Sequence, residues 1–131
     1  MKIYLIVFFL VFNCSGVYSQ TQSQMNSEAK SKFELVDKQL NSVYQKILNE
    51  YKDDVKFTES LRVSQRLWIQ FRDAEMLVKF PEKDASYYGS VFSMCWYSYK
   101  EELTSERIKR LRLWLIGTDE GDLCSGSIKF K

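Results

Sequence analysis

The sequence predicts an all-α fold, a small helical bundle of three long helices in which the third helix is broken near Leu103. Apolar residues recur at three- and four-residue spacing in three stretches, as they do in amphipathic helices. No stretch alternates apolar and polar residues as a half-buried strand would. The single proline, Pro81, lies between the second and third stretches, where it is expected to end a helix.

The first 19 of the 131 residues have the features of a secretory signal peptide. Lys2 supplies a short positive region, and Ile3–Phe12 is an uninterrupted apolar run that is too short to span a bilayer of about 30 Å as a helix. Val17 and Ser19 fit the positions that precede a cleavage site. We therefore expect a mature chain that begins at Gln20 and is periplasmic or secreted.

Cys14 leaves an alternative open, in which cleavage occurs before this residue and the cysteine carries a lipid anchor. Asn13 fits such a site poorly, because a small residue is preferred there. In the favoured interpretation residues 20–131 form a single helical domain, and residues from about 118 to 131 form an irregular tail rich in glycine and serine.

The first predicted helix runs from about Ser27 to Lys52, with charged residues opposite its apolar side. Asp53 and Asp54 end the pattern, because acidic residues are unfavourable at a helix C-terminus. Thr58 is the predicted N-cap of the second helix. The apolar positions of the first helix are Phe33, Val36, Leu40, Val43, Ile47 and Leu48.

The second helix has two different faces. One is an apolar stripe made of Leu67, Phe71, Ala74 and Val78. The adjacent face combines an amide, an indole, a guanidinium and a carboxylate, which belong to Gln65, Trp68, Arg72 and Glu75. Such polar groups need fixed hydrogen-bond partners when they are buried. This face therefore either fixes helix packing through an ion pair of Arg72 or receives a protein partner.

Pro81–Gly89 is the longest predicted loop, and it contains Tyr87 and Tyr88. The end of this segment either begins the third helix, with Ser90 as its N-cap, or forms a recognition loop that presents the two tyrosines. Both interpretations leave the tyrosines between the second and third helices.

The third helical stretch begins with the aromatic-rich segment Val91–Glu102, which is expected to be central to the packing. Thr104 resembles the N-cap of a new helix, and this feature is the reason for the predicted break near Leu103. Gly117 is the predicted C-terminal cap.

Cys95 and Cys124 are the cysteines that remain after signal cleavage. Two cysteines in an exported chain most often pair. A disulfide between them would close a loop of about 30 residues and contribute roughly 3 to 4 kcal/mol in the chain-entropy model. It would attach the C-terminal tail to the third helix.

Composition argues against several classes of function. The formal net charge of +2 falls to +1 without Lys2, and the mixed charges give no electrostatic footprint for nucleic acid. The chain has no histidine, and two isolated cysteines do not make a metal site. Its five glycines are scattered, with no phosphate-binding loop. We therefore predict neither an enzyme nor a cofactor-binding protein.

Five segments together resemble one known family. They are LNSVYQKIL at Leu40–Leu48, SQRLWIQFRDAE at Ser64–Glu75, Gly89 with Ser90, Cys95, and LTSERIKRL at Leu103–Leu111. In this order they resemble the LprI-type lysozyme-inhibitor family of small exported bacterial helical domains. The central pattern, Gln-x-x-Trp-x-x-x-Arg-Asp, is its most specific part. The resemblance implies a cell-envelope protein that binds a lysozyme and inhibits it by occluding its cleft. A non-inhibitory periplasmic module with another protein partner is the alternative.

One position departs from the family pattern. A cysteine commonly follows the Arg-Asp-Ala-Glu segment and pairs with the counterpart of Cys95, but this chain has Met76 there. Cys124 is then the only substitute partner for Cys95. The residues predicted to contact a protein partner are Gln65, Trp68, Arg72, Glu75, Tyr87 and Tyr88.

Overall fold

The computed structural model describes residues 20–131, and these form three long α-helices and one short 3₁₀ helix. The α-helices are α1 (Gln22–Glu50), α2 (Val55–Lys79) and α3 (Phe92–Ile116), and the 3₁₀ helix comprises Ala85–Tyr88. The predicted all-α bundle is confirmed. The predicted signal peptide and the alternative lipid anchor at Cys14 lie outside the described residues. None of the helices within residues 20–131 is long and apolar enough to cross a membrane.

α1 and α3 are parallel to each other, and α2 is antiparallel to both. Near the start of α1, Asn26 Nδ2 donates a hydrogen bond to the carbonyl oxygen of Ser90, just before α3 (2.9 Å). At the end of α1, the Tyr51 hydroxyl donates to the carbonyl oxygen of Trp114, near the end of α3 (3.0 Å). Phe57, at the start of α2, packs against the rings of Tyr51 and Trp114. The three helices therefore form an up-down-up bundle.

The apolar core lies mainly between α1 and α3. Its buried residues are Leu40, Val43, Ile47, Tyr51, Leu61, Ile108 and Leu111. Only Leu61 in this set belongs to α2, although Phe57 and Trp68 of that helix pack partly against the core. α2 also buries Met76, which is 1% exposed, so it is held to the bundle by a few buried apolar side chains together with polar contacts.

α1 begins earlier than the sequence predicts, at Gln22 instead of about Ser27. Thr21 and Gln24 form a capping box: Thr21 Oγ1 accepts a hydrogen bond from the Gln24 amide (3.2 Å), and Gln24 Oε1 accepts one from the Thr21 amide (2.8 Å). The polar residues that precede the apolar pattern therefore belong to α1, because this capping box stabilises the N-terminal end of the helix.

α2 also begins earlier than expected, because Asp54 and not Thr58 is its N-cap. Asp54 Oδ1 accepts a hydrogen bond from the Phe57 amide (3.0 Å). Thr58 lies inside the first turn, where its hydroxyl donates to the carbonyl oxygen of Val55 (3.1 Å). The acidic residue that was expected to end the first helix caps the second one instead.

α3 continues through Leu103 without interruption, so the predicted break in this helix is wrong. Thr104 is buried and caps no new helix; its hydroxyl donates to the carbonyl oxygen of Lys100 one turn earlier (2.7 Å). A threonine can satisfy its hydroxyl in this way inside a helix. Ser90 is not the N-cap either, since Val91 occupies that position without a side-chain hydrogen bond.

Cys95 and Cys124 are both free cysteines, so the predicted disulfide between them is not formed in this structure. Cys95 lies in the first turns of α3, and Cys124 lies in the tail that follows the opposite end of this helix. At 1.5 Å per residue, about 33 Å of helix separates Cys95 from Gly117, where the tail begins. Bridged cysteines need Cα atoms within about 7 Å of each other.

Polar contacts, and not a disulfide, attach the tail to the bundle. The Thr118 amide donates to the carbonyl oxygen of Lys129, and the Lys131 amide donates to that of Thr118 (both 3.0 Å). Lys131 Nζ lies 2.8 Å from Glu50 Oε1, and Trp114 Nε1 donates to Ser127 Oγ (2.9 Å). The tail is therefore docked on the C-terminal ends of α1 and α3.

Candidate functional site

The polar face of α2 points into the bundle. Gln65 and Arg72 are buried, with exposed fractions of 6% and 8%, and Trp68 and Glu75 are half-buried. A typical amphipathic helix turns its apolar face to the core, whereas α2 buries these polar side chains together with Leu61 and Met76 and leaves its apolar stripe exposed. Each polar group on this face has a partner on a neighbouring element.

Arg72 connects all three helices. Its Nη1 lies 3.3 Å from Asp37 Oδ1 on α1, and its Nε lies 3.1 Å from Asp73 Oδ1 on α2. Lys100 Nζ on α3 lies 3.5 Å from the same oxygen of Asp73. The guanidinium carbon is 5.2 Å from the centroid of the Trp68 ring, a cation–π distance. The Arg72 network is therefore a packing element that joins the three helices.

Gln65 and Trp68 are held by Arg107 of α3. Arg107 Nε donates to Gln65 Oε1 (3.1 Å), and its Nη2 donates to Ser64 Oγ (3.0 Å). The Arg107 guanidinium carbon is 5.7 Å from the Trp68 ring centroid. Burial lowers the pKa of Arg107, and the neighbouring charge of Arg110 lowers it further. Trp68 is thus in contact with two guanidinium groups, those of Arg72 and Arg107.

Glu75 links α2 to α3 through Tyr99. The Tyr99 hydroxyl donates to Glu75 Oε1 (3.3 Å), and Lys79 Nζ lies 3.6 Å from the centroid of the Tyr99 ring. Desolvation raises the pKa of Tyr99, and the charge of Glu75 raises it further. The four predicted residues on this face therefore all take part in helix packing.

Part of this face borders an open cleft of about 250 Å³ between α2 and α3. The cleft is lined by Trp68, Phe71, Arg72, Leu103, Glu106, Arg107 and Arg110. Of the six residues predicted to contact a protein partner, only Trp68 and Arg72 line this cleft.

Tyr87 and Tyr88 lie in the 3₁₀ helix at the tip of the α2–α3 hairpin. Tyr87 is 73% exposed. Tyr88 is half-buried: its ring stacks on Phe92 at 5.0 Å and meets Phe80 edge-on at 5.5 Å. The Tyr88 hydroxyl also accepts a hydrogen bond from the Glu82 amide (2.9 Å). Tyr87 therefore protrudes next to the packed rings of Tyr88, Phe92 and Phe80.

The turn that presents Tyr87 is fixed at both ends. Asp84 Oδ1 accepts a hydrogen bond from the Ser86 amide (2.9 Å), and hydrogen bonding from Ser86 lowers the pKa of the Asp84 carboxyl. Gly89 ends the 3₁₀ helix with φ of 75°, a conformation that favours glycine.

An aromatic cleft of about 450 Å³ lies below this tip. It is lined by Leu77, Phe80, Glu82, Lys83, Phe92, Ser93, Trp96 and Tyr97. The aromatic density of the third helix is evident in the sequence, but the cleft is not. The missing information is the position of Phe80, whose ring meets those of Phe92 and Trp96 only in the folded chain.

The six predicted contact residues fall into two separate regions. Gln65, Trp68, Arg72 and Glu75 lie along α2, whereas the two tyrosines lie beyond its C-terminal end. Trp68 precedes Phe80 by 12 residues, which is about 18 Å of helix. The Tyr87–Tyr88 region is the more accessible of the two.

Comparisons with known proteins identify the family. No curated protein and no solved structure matches the chain. The family model described as lysozyme inhibitor LprI matches residues 14–111. The match covers most of the chain, including all of α1 and α2 and α3 as far as Leu111. The chain therefore belongs to the lysozyme inhibitor LprI family.

Proposed function

We propose that the mature protein is an exported cell-envelope protein that binds a lysozyme and inhibits it by covering the substrate cleft. Membership of the LprI family supports an inhibitory role over a catalytic one. The observation that supports the contact site is the exposed Tyr87 side chain at the tip of the α2–α3 hairpin.

An inhibitor that occludes a cleft needs a protruding group on a rigid support, because ordering a flexible loop on binding costs affinity. Tyr87 fits this requirement. Its ring meets Tyr88 edge-on at 5.1 Å, and Tyr88 is itself stacked on Phe92. Tyrosine is also enriched among the residues that dominate binding energy at interfaces.

Charge near the tip is mixed, since Glu82, Lys83 and Asp84 precede the tyrosines. A formal net charge close to zero gives little steering toward a charged partner. We therefore expect affinity to depend mainly on the burial of aromatic surface and only weakly on ionic strength.

We assign different roles to the two predicted regions. Tyr87 and Tyr88 contact the lysozyme. Gln65, Trp68, Arg72 and Glu75 hold α2 against α1 and α3, and so keep the hairpin that ends at Tyr87 in position. In this proposal the family motif around Trp68 is needed for binding only through the fold.

The test is inhibition of cell-wall lysis by the chain Gln20–Lys131, measured with animal and bacterial-type lysozymes. The wild-type chain should inhibit at least one of them in a saturable manner. Tyr87→Ala should weaken inhibition about tenfold or more, as expected for an aromatic hot spot. Leu123→Ala is the matched control, because Leu123 is 98% exposed but lies in the tail at the opposite end of the bundle.

Two results would count against the proposal. Absence of inhibition by a folded wild-type chain would exclude inhibition of the lysozymes tested and favour a non-inhibitory interaction module. Equal inhibition by the wild-type chain and Tyr87→Ala would show that the contact lies elsewhere on the protein.

A further inference from the structure

The outer face of α2 carries a contiguous apolar stripe, which we call the outer stripe. It consists of Val63, Leu67, Phe71, Ala74 and Val78. The exposed fractions are 46% for Val63, 59% for Leu67, 58% for Phe71 and 74% for Val78. Because Gln65 and Arg72 face the bundle, this stripe faces the opposite way. Exposed apolar patches of several hundred Å² are often functional interaction sites.

We propose that the outer stripe is covered by a second copy of this chain, in an antiparallel dimer with two-fold symmetry between the α2 helices. This inference is independent of the proposed lysozyme contact, which lies at the hairpin tip. Two features of the stripe favour a second copy as its occupant, namely the order of its side chains and the charges beside it.

The side chains of the outer stripe are self-complementary about a point between Gln70 and Phe71. In an antiparallel pair centred there, Val63 meets the second copy's Val78, and Leu67 meets the second copy's Ala74. Phe71 meets its own counterpart at the centre. Large side chains therefore face small or matching ones, as close packing of two helices requires.

Arg66 and Asp73 lie on the same side of the outer stripe. A two-fold axis between antiparallel helices brings equal sides together, so Arg66 lies beside the second copy's Asp73 with an offset along the axis of about 3 Å. Within residues 20–131 Arg66 has no ion-pair partner, and Asp73 stays 53% exposed although it contacts Arg72 and Lys100. The dimer would contain two such pairs.

The size of the outer stripe predicts a weak dimer. Its exposed side chains offer roughly 500 Å² per copy, whereas a stable interface buries about 800 Å² per partner. We therefore expect dissociation constants in the micromolar range or weaker, with monomers at low concentration.

The first test is analytical ultracentrifugation of the chain Gln20–Lys131, without lysozyme, from low micromolar to near-millimolar concentration. The wild-type chain should change from monomer to dimer. Phe71→Glu should stay monomeric across the range, because it places two carboxylates at the centre of the interface. Leu35→Glu is the matched control: Leu35 is 65% exposed but lies on α1, so this variant should dimerise like the wild type.

The second test exchanges the charges beside the stripe. Arg66→Asp and Asp73→Arg should each dimerise at least several-fold more weakly than the wild type, since each places like charges opposite one another. An equimolar mixture of the two variants should recover dimers, because both cross-pairs in the mixed dimer then join opposite charges. Asp73→Arg also removes the contacts of Asp73 with Arg72 and Lys100, so circular dichroism and thermal denaturation must show that each variant is folded before its association is measured.

Three results would overturn the proposal. They are a wild-type chain that remains monomeric at all concentrations, a Phe71→Glu variant that dimerises like the wild type, and a mixture of charge variants that associates no better than either alone. If the wild-type chain never dimerises and the Phe71→Glu variant loses lysozyme binding, the outer stripe is assigned to the lysozyme instead. Failure of lysozyme inhibition alone would leave the dimer proposal intact.

Discussion

Replacing Arg72 by alanine tests whether the polar face of α2 is a packing element. The substitution removes two charged hydrogen bonds, to Asp37 and Asp73, and the contact with the Trp68 ring. It leaves both carboxylates without their guanidinium partner. Because Arg72 is buried and lies between helices, we expect the loss to appear in the free energy of unfolding.

The expected loss of unfolding free energy depends on how exposed the Asp37 and Asp73 side chains are. Hydrogen bonds to charged groups contribute about 1.5 to 3 kcal/mol each. The Asp37 and Asp73 side chains are 40% and 53% exposed, so water can partly replace the lost bonds, and screening reduces the contribution of each bond to about 0.8 to 1.5 kcal/mol. The contact of Arg72 with Trp68 adds about 0.5 to 1 kcal/mol. Arg72→Ala should therefore lower the free energy of unfolding by about 2 to 4 kcal/mol.

The assay is urea denaturation followed by circular dichroism, with thermal denaturation as a second measurement. For a domain of this size each kcal/mol corresponds to about 4 °C, so the melting temperature should fall by about 8 to 16 °C. Arg62→Ala is the control, since Arg62 is exposed and has no ion-pair partner within residues 20–131. A change below about 0.5 kcal/mol for Arg72→Ala, in the range of ordinary surface substitutions, would refute the packing role.

Two further predictions concern the docked tail. Gly117→Ala should lower the free energy of unfolding by about 1 to 3 kcal/mol in urea denaturation, because Gly117 has φ of 83° and a Cβ atom there would lie 2.9 Å from the Lys129 carbonyl oxygen. Gly126→Ala, which has open space around it, should lower stability less. Equal losses for the two variants would contradict the role of the close contact. The hydrogen bond from Lys131 lowers the pKa of Glu50 below its ordinary 4.5, so the Glu50 contribution is present above pH 4.5 and is lost as the pH falls through the lowered pKa. Glu50→Gln should therefore melt at a lower temperature than the wild type at pH 7, and the difference should vanish in acid; a difference that persists unchanged would contradict this role.

Helix content was predictable because apolar spacing identifies helices even when their ends are uncertain. The starts of α1 and α2 were less predictable, since several residues before each helix can serve as caps and only the folded backbone selects Thr21 and Asp54. The break near Leu103 was predicted from a capping sequence whose threonine instead bonds back to Lys100.

The orientation of α2 is the feature that sequence spacing could not provide. Periodicity identifies two stripes on the helix, but it does not say which one faces the bundle. Arg72 faces inward because Asp37 of α1 lies opposite it, a long-range contact without a local signal. Phe71 is then turned outward. The disulfide prediction failed for the same reason, because the separation of Cys95 and Cys124 depends on the length and continuity of α3.

The most direct test of the proposed function is a titration of lysozyme activity with the chain Gln20–Lys131, with complex formation measured in the same samples. We predict dose-dependent loss of cell-wall lysis, a saturable complex, and a marked weakening of both by Tyr87→Ala. A folded chain that neither binds nor inhibits any lysozyme, at concentrations well above micromolar, would contradict the proposal.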